Sequence, residues 1–156
     1  MRILFMCTAN SCRSVLSEGL FNHMAPEAMS AISSGSVPSG CLNPRAVSTL
    51  QNLGIDTSRL YSKGSESFAD NPPDIVITVC DKARGEPCPI YFGPAIKSHW
   101  GLADPSDVLG SDEEIQAAFD ATVAKIRQRF AAFLALDISA LGKTELKQAL
   151  DAVGAL

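Results

Sequence analysis

Positive charge is in short supply in this sequence. Thirteen Lys and Arg stand against seventeen Asp and Glu, for a net charge of −4. No basic stripe is visible, which argues against a nucleic-acid partner. Long apolar runs are missing too. None approaches the roughly 18 residues that span a bilayer, and the run after Arg2 is too short and too soon interrupted for a signal peptide. Charged residues make up 19% and hydrophobic residues 46% of the 156 positions, so the composition lies far from that of a disordered chain. There is also no internal repeat, linker or low-complexity segment. These absences leave one expectation: a single cytoplasmic domain over residues 1–156, monomeric, with a core over about 1–135 and a helical extension over about 138–156.

Cysteine, by contrast, is present in an odd number, at positions 7, 12, 41, 80 and 88. In a reducing compartment such thiols are free, metal-bound or redox-active more often than they form a structural framework. Two of them end apolar runs. Ile3-Leu4-Phe5-Met6 leads into Cys7, and the β-branched run Pro73 to Cys80, PDIVITVC, suits a parallel strand covered on both faces.

The remaining elements follow from periodicity and punctuation. A polar loop after Cys7 gives way to a helix beginning near Ser14, and a second strand is expected around Met29 to Ser33. Asn43-Pro44 opens a helix carrying Val47, Leu50 and Leu53, closed by Gly54. A short strand over Ala95 to His99 precedes WGLADPSD. Ser111-Asp112-Glu113-Glu114 is a capping box, after which Ile115, Phe119, Val123, Ile126, Phe130 and Phe133 trace one face of a long helix. A last helix is expected over Glu145 to Val153. Alternating strands and helices point to an α/β three-layer sandwich with a short, about four-stranded parallel sheet. Ligands bind outside the carboxyl ends of such strands, where Cys7 and Cys80 emerge.

The segment Cys7 to Arg13 can wrap into a cradle of backbone N–H groups at the start of a helix, a site for a tetrahedral anion. Thr8, Ala9, Asn10, Ser11, Cys12, Arg13 and Ser14 form its wall, and Arg13 adds a planar fork that grips two anion oxygens. The field that holds the anion is expected to lower the pKa of Cys7 and make it a nucleophile. Hydroxyls at Thr8, Ser11 and Ser14 are suited to bond the thiolate or the loop, and the Asn10 amide to brace it.

CTANSCRS resembles the Cys-x5-Arg-Ser/Thr loop of the low-molecular-weight protein tyrosine phosphatases and of the thioredoxin-coupled arsenate reductases that share their fold. The resemblance covers about residues 1 to 135, including the late Asp104-Pro105 loop, although the phosphatases usually carry glycine where Ala9 stands. It implies that Asp104, stiffened by its proline, is the general acid, with Asp107 the nearest competitor. CDKARGEPCP resembles the matching segment of the reductases. This implies a cascade in which Cys7 forms an arsenate adduct, Cys80 attacks Cys7 to release arsenite, and Cys88 then attacks Cys80. Thioredoxin, or another thiol donor, reduces the final disulfide, and no bound cofactor is expected. Phosphate and sulfate should compete with arsenate.

A phosphatase is the alternative within the same family. It needs neither Cys80 nor Cys88, but it calls for aromatic walls that ADPSDVLGSD lacks. A zinc site on Cys7, Cys12, Cys80 and Cys88 is a poor fit, because structural pairs are usually spaced by about two to four residues. In some relatives a monovalent cation sits behind the loop at positions matching Asn10, Glu18 and Ser33, with an acidic fourth member that Lys63 replaces here. The Lys63 ammonium can stand in for that cation, so no metal is expected. Cys12 is read as packing behind the loop rather than shielding Cys7, and Cys41 as a bystander. His23 and His99 have no partner that the sequence names.

Overall fold

The four strands β1 (Arg2–Cys7), β2 (Ser30–Gly35), β3 (Ile75–Thr78) and β4 (Ile96–His99) form one parallel sheet in the order β2-β1-β3-β4. A computed structural model describes residues 1–68, 70–80 and 94–156 of the chain. Register pairs Ile3 with Ala31 and Ile75, and Ile77 with Ser98, so β1 is a central strand. Its side chains alternate between faces, as the pleat requires. Ile3, Phe5 and Cys7 join the large core on the helical side, whereas Leu4 and Met6 pack with Val76 and Phe68 on the other. This double burial explains the unbroken apolar run of β1.

Among the described residues the main face carries α1 (Arg13–Met24), α3 (Asp112–Leu134) and α4 (Lys143–Gly154), while α2 (Pro44–Asn52) packs on α1 and α3. Phe130 of α3 lies 5.4 Å from the Phe5 ring and meets Phe21 edge-on at 5.2 Å, which anchors α3 to both β1 and α1. The expected apolar face of α3 is the buried one, from Phe119 through Phe133. On the opposite face, Phe68 comes from a 3-10 turn over Ser65–Phe68. No helix among the described residues is long and apolar enough to cross a membrane.

Several boundaries differ from the sequence-based expectation. The second strand runs on to Gly35 rather than stopping at Ser33, because Met6 and Cys7 continue to pair with Ser34 and Gly35. β3 stops at Thr78, short of Cys80: its last register pair with β1 is Met6–Thr78, and after Val79 donates to the Met6 carbonyl the chain leaves the ladder. In α2 the Asn43 side chain caps Arg45 and Ala46 N–H, as expected, but the buried residues are Ala46, Thr49 and Leu50. That face is turned by one position from the Val47-Leu50-Leu53 series. Only half of the capping box forms. Ser111 Oγ accepts from Glu114 N–H, and its own proton goes to the Glu114 carboxylate at 3.3 Å. The last helix is longer than expected, Lys143–Gly154. It covers β4 through bonds from Trp100 Nε1 to the Leu150 carbonyl, 2.8 Å, and from Ser98 Oγ to Asp151, 2.6 Å.

Candidate active site

β2 lies on one side of β1 and β3 on the other, so the chain reverses its direction of travel across the sheet at β1 and opens a crevice at the strands' carboxyl ends. Cys7, the last residue of β1, is buried there and pairs in register with Gly35. The loop that follows lies directly on Gly35. A Cβ at that position would stand 2.5 Å from the Thr8 carbonyl oxygen and 2.8 Å from the Asn10 nitrogen, so only glycine lets the loop close. Asn10 itself takes the left-handed conformation, φ +47°, which asparagine tolerates better than most residues. α1 then begins with no side-chain cap at Cys12 and no acidic residue in its first turn. Its leading N–H groups and the positive end of its dipole are left to an anion.

Behind the loop lies a buried chain of polar side chains. The Asn10 amide donates to Ser14 Oγ at 2.9 Å and to Ser33 Oγ at 3.0 Å, and its oxygen accepts from Lys63 N–H at 2.8 Å. Ser33 spends its own proton on Glu18, 2.8 Å away. The Lys63 ammonium meets Glu18 at 3.3 Å, Ser33 Oγ at 3.4 Å and the Tyr61 carbonyl at 3.1 Å. Glu18 and Ser33 therefore meet an ammonium supplied by the chain itself, whereas Asn10 bonds the backbone N–H of Lys63 instead. With Ser14 Oγ already accepting from Asn10, its hydroxyl proton is free to point at Cys7 Sγ, 2.9 Å away. A thiolate at Cys7 thus has a preset donor.

In front of the loop, Arg13 donates through NH1 to the Leu102 carbonyl at 3.0 Å and through NH2 to Asp104 at 3.2 Å. Asp104 is oriented from its other oxygen by Ser106, whose N–H and hydroxyl lie at 3.0 and 2.6 Å. Cys7, Arg13, Asp104 and Cys80 line one cavity of about 430 Å³, shared with Asp107. A wider cleft of about 710 Å³ runs between α2 and α3, but no cysteine or histidine lines it. Chemistry rather than size therefore singles out the smaller cavity.

The other residues named from sequence fall as follows. Cys80 is buried, and its sulfur lies 3.6 Å from Thr8 Oγ1, so Thr8 faces the second cysteine rather than the first. Ala9 and Ser11 contribute their carbonyls to hold the neighbouring segment, Ala9 accepting from Ser39 N–H and Ser62 Oγ, and Ser11 from Asn43 N–H. Cys12 is buried. Burial, with the negative charge of Asp104 adding to it, pushes its thiol up to about 12, so it stays protonated at neutral pH. Cys41 is exposed. His99 Nδ1 pairs with Thr78 Oγ1 at 2.8 Å, and His23 sits in the last turn of α1. Cys88 lies outside the described residues. Among the described residues no three His, Cys, Asp or Glu side chains gather as ligands for a metal ion.

Two participants escape a reading of the sequence. Gly35 gives only the faint signal of SSGS, and the Leu102 carbonyl that orients Arg13, being backbone, gives none.

Comparison with known proteins gives the chain a family. Residues 2–149 match the family model described as low molecular weight phosphotyrosine protein phosphatase. The arsenate reductase of Bacillus subtilis (strain 168) is 35% identical over 131 residues, covering 84% of this chain and 93% of that protein. Among solved structures, an arsenate reductase in its phosphate-binding state superimposes with a TM-score of 0.64 at 28% identity, over 83% of this chain and 96% of the other. A thioredoxin-dependent arsenate reductase of Corynebacterium glutamicum gives 0.63 at 25% identity, over 83% and 60%. The family model spans nearly the whole chain, and the chain belongs to the low molecular weight phosphotyrosine protein phosphatase family.

Proposed function

We propose that this protein is an arsenate reductase working through Cys7, Cys80 and Cys88, with a thioredoxin-type dithiol as electron donor. The observation that carries the reading is the second thiol: Cys80 opens on the same cavity as Cys7, with Thr8 between them. A hydrolase of phosphate esters has no use for a buried sulfur there, whereas a two-electron reduction needs one.

The residues divide the work as follows. An arsenate dianion enters the cradle, the Arg13 fork trades Asp104 for two of its oxygens, and the freed Asp104 carboxylate takes up the proton that Cys7 gives up in becoming a thiolate. The Cys7 thiolate, held by Ser14, attacks arsenic; Asp104 protonates the departing hydroxyl, which leaves as water, and a Cys7 sulfur–arsenic(V) bond forms. Cys80 thiolate then attacks Cys7 Sγ. The sulfur–arsenic bond breaks with its electron pair going to arsenic, which leaves as arsenite, and the two sulfurs that supplied those two electrons are left joined as a Cys7–Cys80 disulfide. Cys88 thiolate attacks Cys80 and returns Cys7 as a thiolate. Cys80 is buried, so an external dithiol does not reach it directly, and the relay to Cys88 answers that need. The donor's two thiols reduce Cys80–Cys88 and become a disulfide in turn.

Phosphate has almost the shape and charge of arsenate, so the same cradle with Asp104 supports slow hydrolysis of a small aryl phosphate. The test is arsenate with thioredoxin, thioredoxin reductase and NADPH. Arsenate-dependent NADPH consumption that vanishes in Cys80→Ser and in Cys88→Ser is expected, with aryl phosphate hydrolysis surviving both. Rapid hydrolysis of phosphotyrosine peptides, with no arsenate-dependent consumption by any thiol donor, would make the protein a phosphatase.

A further inference from the structure

Where β4 runs out, two consecutive carbonyls are each held by a guanidinium. Leu102 O accepts from Arg13 NH1 at 3.0 Å, and Gly101 O accepts from Arg129 NH1 at 3.1 Å. Arg129 belongs to α3 and is only 5% exposed. Its NH2 reaches the Leu156 carbonyl at 3.4 Å, and its Nε–H has no partner among the described residues. Burial lowers its pKa. Burying a guanidinium costs desolvation that its hydrogen bonds must offset.

Its position is more informative than its energetics. The N–H groups of Trp100 and Leu102 are held by the Thr78 and Val79 carbonyls of the β3 region. Between them lies Gly101, the residue with the greatest backbone freedom in the stretch. On the carbonyl side, Arg129 is the described group that restrains it. Arg129 also lines, with Ser17 and Leu102, a void of about 10 Å³, and Ser17 Oγ donates to the Arg13 carbonyl at 2.8 Å.

We propose that Arg129 is a positioning residue for the oxyanion site: by gripping Gly101 O it fixes the peptide whose next carbonyl, Leu102 O, aims the Arg13 fork at the anion. The inference rests on the oxyanion-site reading given above. Arg129 touches neither substrate nor nucleophile, and it acts through one peptide and one arginine. α3 therefore sets the anion site as well as filling the core.

The experiment measures the apparent affinity for inorganic phosphate as protection of Cys7 from iodoacetamide, in the full chain. Arg129→Met should weaken phosphate about tenfold, as misaiming a fork by a fraction of an ångström does, while the unprotected alkylation rate of Cys7 stays within about twofold of wild type. Arg129→Lys, which can still reach Gly101 O, should recover most of the loss. In an Arg13→Lys background, Arg129→Met should add less than about a further twofold, because the fork it aims is gone. If Arg129→Met does not fold, Arg129→Gln, polar but too short to span to Gly101, must give the same loss. Wild-type phosphate affinity in the Met or Gln variant, or a full tenfold loss that persists without Arg13, overturns the inference. Failure of phosphate to protect the wild type overturns instead the oxyanion-site reading on which it stands.

Discussion

Cys7 and Cys12 stand at the two ends of one loop, both buried and both on the same cavity, yet their surroundings are opposite. Cys7 ends a chain of hydrogen bonds in which every donor is committed, from Lys63 and Asn10 through Ser14 to its sulfur. Cys12 has desolvation and the charge of Asp104 against it, which outweigh the neighbouring Arg13 and push its thiol up to about 12. Burial alone therefore does not set the character of a thiol. What separates the two sulfurs is the Ser14 hydroxyl 2.9 Å from Cys7.

The sharpest way to break this comparison is to exchange the thiols for hydroxyls. Cys7→Ser should abolish arsenate-dependent turnover with any reductant, because serine enters no disulfide, whereas Cys12→Ser should stay within a few-fold of wild type in the coupled NADPH assay. Comparable losses in both would mean that Cys12 takes part in the chemistry. Next in size, Asp104→Asn should slow formation of the Cys7 adduct by roughly 10² to 10⁴, the usual reach of a general acid, with phosphate protection of Cys7 nearly intact. Stopped-flow kinetics of arsenite release would register it. Ser14→Ala removes the donor from Cys7 and should slow its alkylation about tenfold at neutral pH, the value of one charge-assisted hydrogen bond. Normal alkylation in that variant would place the thiolate's support elsewhere. The smallest effect concerns pH. Below about 12 Cys12 is mainly thiol, so its alkylation should climb about tenfold per pH unit through pH 10. A Cys12 rate that levels off below pH 10, followed by mass spectrometry of its labelled peptide, would contradict that.

Much of this was legible in the residues. The run Ile3 to Met6 ending in Cys7, the Asp104-Pro105 turn and the Phe119-to-Phe133 stripe of α3 each depend on local pattern, and local pattern is what a sequence displays. What escaped depends on closeness across the fold. Gly35 matters because the Thr8 carbonyl lies where a Cβ would be. The Leu102 and Gly101 carbonyls that receive Arg13 and Arg129 belong to no side chain and carry no sequence signal. Cys80 sits two residues past the end of β3 rather than on it, because pairing with β1 ends first. Lys63 was legible only through resemblance. Nothing in YSKGSESF itself announces an ammonium buried against Glu18 and Ser33.

The central claim is that Cys7 works with Cys80 and Cys88, and that Cys12, although nearer in sequence, does not. One turnover settles it: fully reduced protein is mixed with excess arsenate and no reductant, arsenite is counted, and the disulfide is mapped by mass spectrometry of the digested chain. The account predicts about one arsenite per chain and one disulfide, Cys80–Cys88, with Cys7 and Cys12 recovered as free thiols. A Cys7–Cys12 disulfide, or no arsenite at all, would contradict it.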